Sequence, residues 1–339
     1  MSIPLPPVFA APLAGGPGTP ELVLAALAGG GSGFLAAGYR TAAELWDEMA
    51  RVRRAAPDAA WGVNLFVPAP PRAHSDAAAL ERYRVAMTAE AERRGIPAPS
   101  PAGDASDAWA DKIDLLEAEP PAWVSTTFGL PPRADVERLR AAGIALIATV
   151  TTPEEAAAAI DRGATALCVQ GPAAGGHRGT FRVEDRPDER PLDALLAACV
   201  PLGVPCIAAG GIAGPVEARA ARDAGAVSVQ LGTALLRTPE AGTAAVHRDA
   251  LVNWPNGTRL TRAYTGRWAR GLSTAFMDRF DPTAPAAYPE VHELTRGIRA
   301  VARARGDAQA MSLWAGTAHA RAEARPAAEI VSEIAAVMR

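Results

Sequence analysis

The sequence lacks the marks of several large protein classes. It has only three cysteines in 339 residues, Cys168, Cys199 and Cys206. All lie in apolar runs and none has CxxC spacing, so they read as small core residues rather than a disulfide framework or a thiolate metal site. No HxH, HExxH or CxxC pattern occurs, and no metal is expected. No GxSxG raises a serine nucleophile, and no GxGxxG opens the first helix to seat a dinucleotide. No apolar run approaches the ~20 residues that span a bilayer. The N-terminus has four early prolines (Pro4, Pro6, Pro7, Pro12) and no basic stretch, which argues against a signal peptide. A soluble, cytoplasmic protein without membrane association is expected. Charge is nearly balanced, 34 Lys+Arg against 37 Asp+Glu. With no basic block, nucleic acid is not an expected partner.

What is present is a repeat of short apolar runs, each followed by a helical pattern. The runs are Val8–Leu13, Gly33–Ala37, Trp61–Phe66, Ala122–Phe128, Ile144–Val150, Ala166–Gln170, Cys206–Ala209 and Val227–Leu231. Thr19-Pro20 and Thr152-Pro153 pair an N-cap with proline at the first helical position. Thr41 and Glu44 have capping-box spacing. Gly143, Gly163, Gly203 and Gly225 end helices before the next run. Apolar strands alternating with helices indicate a parallel sheet buried on both faces. Eight such units close a barrel, so the expected fold is α/β, a (β/α)8 TIM barrel over residues 1–237. A Pro-rich stretch at 68–119, with a helical pattern near 76–94, reads as an insertion after the third strand. Residues 238–309 read as a small, mainly helical lid, and 310–339 as a segment packing back on the barrel, its last helix near 326–338.

Barrel enzymes carry their chemistry on the loops after the strands. Gly210-Gly211 and Gly232-Thr233 follow the seventh and eighth strands. Glycine lets backbone N–H groups approach an anion, helix N-termini add favourable partial charge, and Thr233 adds a hydroxyl donor. Tight turns needing positive φ would explain either loop alone, but the two together at adjacent barrel positions favour a phosphate site. The sixth loop contains Gly175-Gly176-His177-Arg178-Gly179. A glycine run is costly to order and fits a flat aromatic cofactor lying against the backbone. His177 then stands at the barrel mouth, able to bind an anion or move a proton. His74, His247, His292 and His319 read as ordinary surface histidines. Asn64 ends an apolar strand, where its amide needs a partner, either a neighbouring strand or a ligand. With Gln170 and Gln230 at the same rim, a polar-edged planar ligand accounts for all three.

The motifs APLAGG, GVNLF, VSTTFGLP, VQGPAAGGHRGTF, AAGGI and VQLGT, in this order, resemble those of the nitronate monooxygenases. TRAYTGRWARGL and SLWAG resemble that family's C-terminal part. The resemblance spans nearly the whole chain. It implies non-covalent FMN, no metal, and oxidation of a nitronate by O2 to a carbonyl compound and nitrite. The flavin contacts it implies are Pro12, Leu13 and Ala14 near the ring, with Asn64, Gln170, Gly175, Gly176, Gly210, Gly211, Gln230, Leu231, Gly232 and Thr233. The active-site histidine is His177, which holds the nitronate and, for neutral nitroalkanes, removes the α-proton. Leu13 stands where the family usually has Met. The expected partners are a small nitronate or nitroalkane and O2, with a homodimer as a candidate assembly. FMN-dependent enoyl-ACP reductases and NADH:quinone reductases share the GGH and phosphate loops and stand as the alternative, although no nicotinamide dock is identifiable. A non-catalytic binding protein would have a disrupted flavin loop or a replaced His177, and this chain has neither.

Overall fold

The computed structural model describes residues 4–69, 77–99 and 105–339. Its first six strands are β1 (Val8–Ala10), β2 (Ser32–Ala36), β3 (Gly62–Phe66), β4 (Trp123–Thr127), β5 (Ala145–Val150) and β6 (Ala166–Gln170). A two-residue strand follows, β7 (Gly176–His177), then β8 (Cys206–Ala209), β9 (Ser228–Leu231), β10 (Thr258–Thr261) and β11 (Ala269–Leu272). Strands β1 to β6, β8 and β9 form a closed parallel barrel in that order, with β1 completing the ring against β9. All eight expected strands are present, several a residue or more shorter than the apolar run that signalled them.

The helices are α1 (Pro20–Ala28), α2 (Ala42–Ala55), α3 (Ala77–Arg93), α4 (Trp109–Ala118), α5 (Arg133–Ala141) and α6 (Pro153–Arg162). They continue with α7 (Leu192–Cys199), α8 (Pro215–Asp223), α9 (Ala245–Asn253), α10 (Ala275–Phe280), α11 (Glu290–Arg305) and α12 (Ala327–Met338). Their starts follow local chemistry. Thr19 and Thr152 cap α1 and α6 through their hydroxyls, each with proline next. Thr41 and Glu44 form both bonds of a capping box on α2. Such caps contribute about 1 kcal/mol each. Gly143, Gly163, Gly203 and Gly225 all adopt positive φ, the left-handed turn that stops a helix without a Cβ penalty.

Alternation along each strand sorts the core into two layers. Phe9, Trp123, Ile147, Cys168 and Ile207 fill the barrel interior, where Phe9 meets Phe34 at 4.9 Å and the edge of Trp123 at 5.3 Å between centroids. Their neighbours Val8, Val124, Leu146, Leu167 and Ala208 face outward into the layer beneath the helices. The three cysteines are free and buried, and burial pushes the Cys168 thiol up to about 12, as expected of inert core residues.

The structure corrects the reading of residues 68–119 as one insertion. Helix α4 packs on α2 and α5 as the third barrel helix, with Trp109 Nε1 donating to Asp135 at 2.8 Å. Helix α3 instead packs on α11. There the buried Glu90 carboxylate binds Arg93, Arg94 (2.6 Å) and Arg279 (2.9 Å). The lid therefore draws on two separate stretches of chain. It also contains a sheet, because β10, β11 and β7 form an antiparallel three-stranded ladder, which the expectation of a mainly helical lid missed. Residues from 310 first cross the lid, where Trp314 bridges Gly271. Helix α12 then packs between α1 and α8 and closes the helical ring. Among the described residues no helix is long and apolar enough to cross a membrane.

Candidate active site

A cavity of about 500 Å³ opens at the C-terminal ends of the barrel strands beneath the lid, within the range of small-molecule and cofactor pockets. Pro12, Leu13, Ala14, Asn64, Gln170, Gly175, Gly176, His177, Gly210, Gly211, Gln230, Gly232 and Thr233 all line it. Leu231 does not. Its side chain is fully buried between barrel and helices, and its carbonyl accepts from Ala11 N–H at 2.8 Å. As the residue beside Gln230 on a strand, it points to the opposite face.

Loop six, after β6, is held from both sides. Gln170 Nε2 donates to His177 O at 3.0 Å, and Gln170 Oε1 accepts from Gly179 N–H at 2.9 Å. Both ends of that amide are thus engaged in shaping the loop, and the second N–H of Nε2 remains for a ligand in the cavity that Gln170 lines. The buried Arg178 donates to the carbonyls of Gly171 and Gln170. Glu155 accepts from Phe181 N–H at 2.8 Å and from Thr151. From the lid, Trp268 O accepts from Arg178 N–H, and Arg267 donates to Thr180 O, both at 2.8 Å.

Three of the loop glycines are explained by protein contacts rather than by room for a flat ligand. A Cβ on Gly175 would lie 2.4 Å from Gly316 N, where the chain from the lid crosses the loop. One on Gly210 or Gly211 would meet Ala174 or Ala173 at about 3 Å, and both these glycines adopt positive φ. Gly176 also has positive φ, but a Cβ there would meet nothing within 4 Å, so it is the glycine of the run that leaves space open.

The His177 ring is bounded by Phe128 at 5.4 Å, Trp314 at 5.6 Å and Tyr288 at 6.3 Å between centroids. Its Nε2 lies 2.9 Å from Thr265 Oγ1, and that hydroxyl donates to Arg267 O at 3.3 Å. When the Thr265 proton is directed to Arg267 O, His177 Nε2 is the donor and Nδ1 keeps its lone pair. Burial, then the charges of Arg267 and Arg299, lower the His177 pKa to about 3, so the imidazole is neutral at physiological pH.

The surface histidines of the sequence reading are not surface residues. His247 and His292 are buried and line the cavity, and His319 is buried with Nδ1 2.6 Å from Leu251 O. His74 lies outside the described residues. His247 Nε2 sits 3.1 Å from Trp314 O. His292 stacks on Tyr39 at 4.2 Å with planes 10° apart. Tyr39 and Phe128 both hold positive φ, which is strained for aromatic residues and clusters at functional sites.

The charged lining came from a helix that sequence reasoning passed over. Arg296, Arg299 and Arg303, all on α11, face the cavity, and among the described residues no Asp or Glu lines it. Desolvation without a lining carboxylate favours an anionic ligand. Polar groups remain free for one. Asn64 directs its Nδ2 to Ser125 and Thr127 across the β3–β4 pair, a structural bond that leaves Oδ1 without a donor among the described residues. The Gln230 amide likewise has no protein partner among the described residues. Gly232 and Thr233 open a short turn of helix, so their N–H groups have no carbonyl within it. The Thr233 hydroxyl accepts from Gly316 N–H at 2.9 Å and keeps its own proton to donate. These groups fit a phosphate at one end and the polar edge of a ring system at the other. Among the described residues no cluster of His, Cys, Asp or Glu could hold a metal.

Comparison with known proteins agrees with this geometry. A family model described as nitronate monooxygenase matches residues 2–336. A nitronate monooxygenase of Pseudomonas aeruginosa is 36% identical over 346 residues, covering 98% of this chain and 96% of that protein. The crystal structure of a nitroalkane oxidase from Streptomyces ansochromogenes superposes with a TM-score of 0.93 at 41% identity, covering 99% of this chain and 96% of that one. FabK from Thermotoga maritima, at 23% identity and a TM-score of 0.75 over 98% of this chain and 92% of that one, shares the fold alone. The chain belongs to the nitronate monooxygenase family, a group of flavin-dependent oxidoreductases.

Proposed function

We propose that this enzyme binds FMN and oxidises small alkyl nitronates with O2, giving a carbonyl compound and nitrite. The observation that carries the reading is a cavity that no carboxylate lines among the described residues, in which a neutral imidazole sits beside fixed positive charge. The flavin phosphate fits the amides of Gly232 and Thr233 with the Thr233 hydroxyl. Asn64 Oδ1 and the Gln230 amide suit the ring's polar edge, and Pro12, Leu13 and Ala14 its flank. When bound, the flavin supplies electron acceptance from the substrate and delivery to O2; the protein contributes placement and electrostatics.

His177 takes the proton work. A nitronate is already an anion and needs no base. A neutral nitroalkane gives up its α-proton to Nδ1, while Nε2–H stays on Thr265 and fixes the tautomer. Phe128, Trp314 and Tyr288 around the ring exclude water, which keeps the imidazole neutral and its lone pair unprotonated. Purified protein, assayed aerobically with ethyl and 2-propyl nitronates, tests this. Nitrite and carbonyl product in equal amounts, with FMN released on denaturation, are expected. No nitrite from any nitronate by flavin-loaded protein would refute it.

A further inference from the structure

A neutral His177 leaves the substrate's negative charge without a counter-charge from the imidazole. Of the three arginines that line the cavity, Arg296 is exposed and paired to Glu293 at 3.1 Å. Arg303 is also exposed and reaches the carbonyls of Gly15 and Gly242 at 3.5 Å. Arg299 differs from both. It is half-buried and, among the described residues, touches no carboxylate. Its Nε donates to Thr295 Oγ1 at 3.0 Å, and its Nη2 donates to His292 O at 2.9 Å and meets His292 Nδ1 at 3.2 Å.

Arginine has no acceptor, so the last contact runs from guanidinium to ring and requires His292 to be neutral with Nδ1 bare. That ring is itself fixed by stacking on Tyr39. Burial lowers the pKa of Arg299 from its usual value, yet an arginine stays charged. The result is a cation locked along one edge, with Nη1 lacking any acceptor among the described residues and the side chain lining the cavity. A planar guanidinium offers two parallel N–H groups to two oxygens of one anion, the arrangement a nitronate's two oxygens present.

We propose that Arg299 binds the nitronate oxygens and sets the preference for the anion over the neutral nitroalkane. This rests on the nitronate oxidation proposed above. His292, Thr295 and Tyr39 are positioning residues that hold the guanidinium edge-on. His177 then acts on the carbon side of the substrate and Arg299 on its oxygen side.

The test uses FMN-loaded protein and two readouts. Nitrate, a planar anion that does not react, is titrated while the flavin's visible spectrum is followed. Steady-state kinetics are measured with a nitronate and with its neutral nitroalkane. Arg299→Gln is expected to weaken nitrate about 10- to 100-fold, as for loss of charge-assisted hydrogen bonds. It should raise KM for the nitronate by a similar factor while leaving KM for the nitroalkane within about threefold. Unchanged nitrate affinity and nitronate KM would overturn the assignment. Should Arg299→Gln fail to fold, Arg299→Lys decides: the charge stays and the fork is lost, so nitrate weakens by about 3- to 10-fold, and parental affinity would overturn the proposal. If the parent protein oxidises no nitronate, the reaction class fails, while the nitrate titration still reads Arg299 by itself.

Discussion

His177 pairs through its backbone with Ala269, antiparallel, so that the barrel's sixth loop is also an edge strand of the lid sheet. The active-site imidazole is thereby fixed to barrel and lid at once. Its main chain is bonded on one side by Gln170, and its ring on the other by Thr265.

Replacing His177 with Asn should separate the two substrate forms. Turnover of a neutral nitroalkane is expected to fall about 100-fold or more, the usual contribution of a positioned base. Turnover of the corresponding nitronate should change by less than about tenfold. Nitrite release under matched FMN content measures both. An equal loss on the two forms would remove proton transfer from the role of His177.

Acid should destabilise the fold through its buried histidines. Burial lowers the pKa of His247 to about 4 and that of His292 to about 2. Both lie below the unfolded value near 6.5, so the unfolded chain takes up protons that the fold refuses. The stability these groups preserve is complete above pH 6.5 and is lost as pH falls from there, toward 4 for His247 and toward 2 for His292. Each contributes a slope of at most about 1.4 kcal/mol per pH unit. Urea midpoints measured from pH 7 to pH 4.5 should drop, and His247→Gln should shallow that drop. Parallel curves for the two proteins would contradict this.

Gly232→Asp should impair cofactor retention without harming the fold. A Cβ there meets Ala11 and Leu13 only at 3.8 Å, an ordinary contact, and φ is negative. The carboxylate then lies where the phosphate is proposed to sit. FMN affinity, by fluorescence titration, should weaken at least about tenfold, with the apoprotein's melting temperature nearly unchanged.

Gly175 and Gly176 should respond differently to alanine. At Gly175 the new carbon meets backbone at 2.4 Å, which forces the loop or the crossing chain to move and costs on the order of 1–3 kcal/mol. At Gly176 nothing obstructs it within 4 Å, leaving only the left-handed backbone penalty of roughly 1–2 kcal/mol. Urea unfolding should rank Gly175→Ala as the less stable variant, and Gly176→Ala should hold FMN more loosely than its stability alone predicts.

The barrel was legible because its signals are local. An apolar run, a cap such as Thr19-Pro20 and a stop such as Gly163 each report on their own neighbourhood, and eight repeats of that pattern leave little choice of fold. The lid was not. Strands β10 and β11 carry Thr-Arg-Leu-Thr and Ala-Arg-Gly-Leu, too short and too polar for a strand period, and β7 is two residues long. His247 and His292 looked like surface residues because their burial depends on what α9 and α11 pack against, which sequence period does not reveal. One local sign of Arg299 did exist. Arg296 has Glu293 three residues before it, whereas Arg299 has no acid within four residues on either side, its neighbours at helical spacing being Thr295, Arg296, Ala302 and Arg303. A helical arginine without an i±3 or i±4 acid partner, beside the apolar stripe Val291, Leu294 and Ile298, is a candidate for facing inward.

The most direct measurement of the central claim is anaerobic mixing of flavin-loaded protein with ethyl nitronate or with NADH, followed by visible absorbance. Rapid loss of the flavin band with the nitronate and none with NADH, then nitrite on admitting air, is the predicted result. Bleaching by NADH alone would contradict the account and place this barrel among the reductases that share its fold.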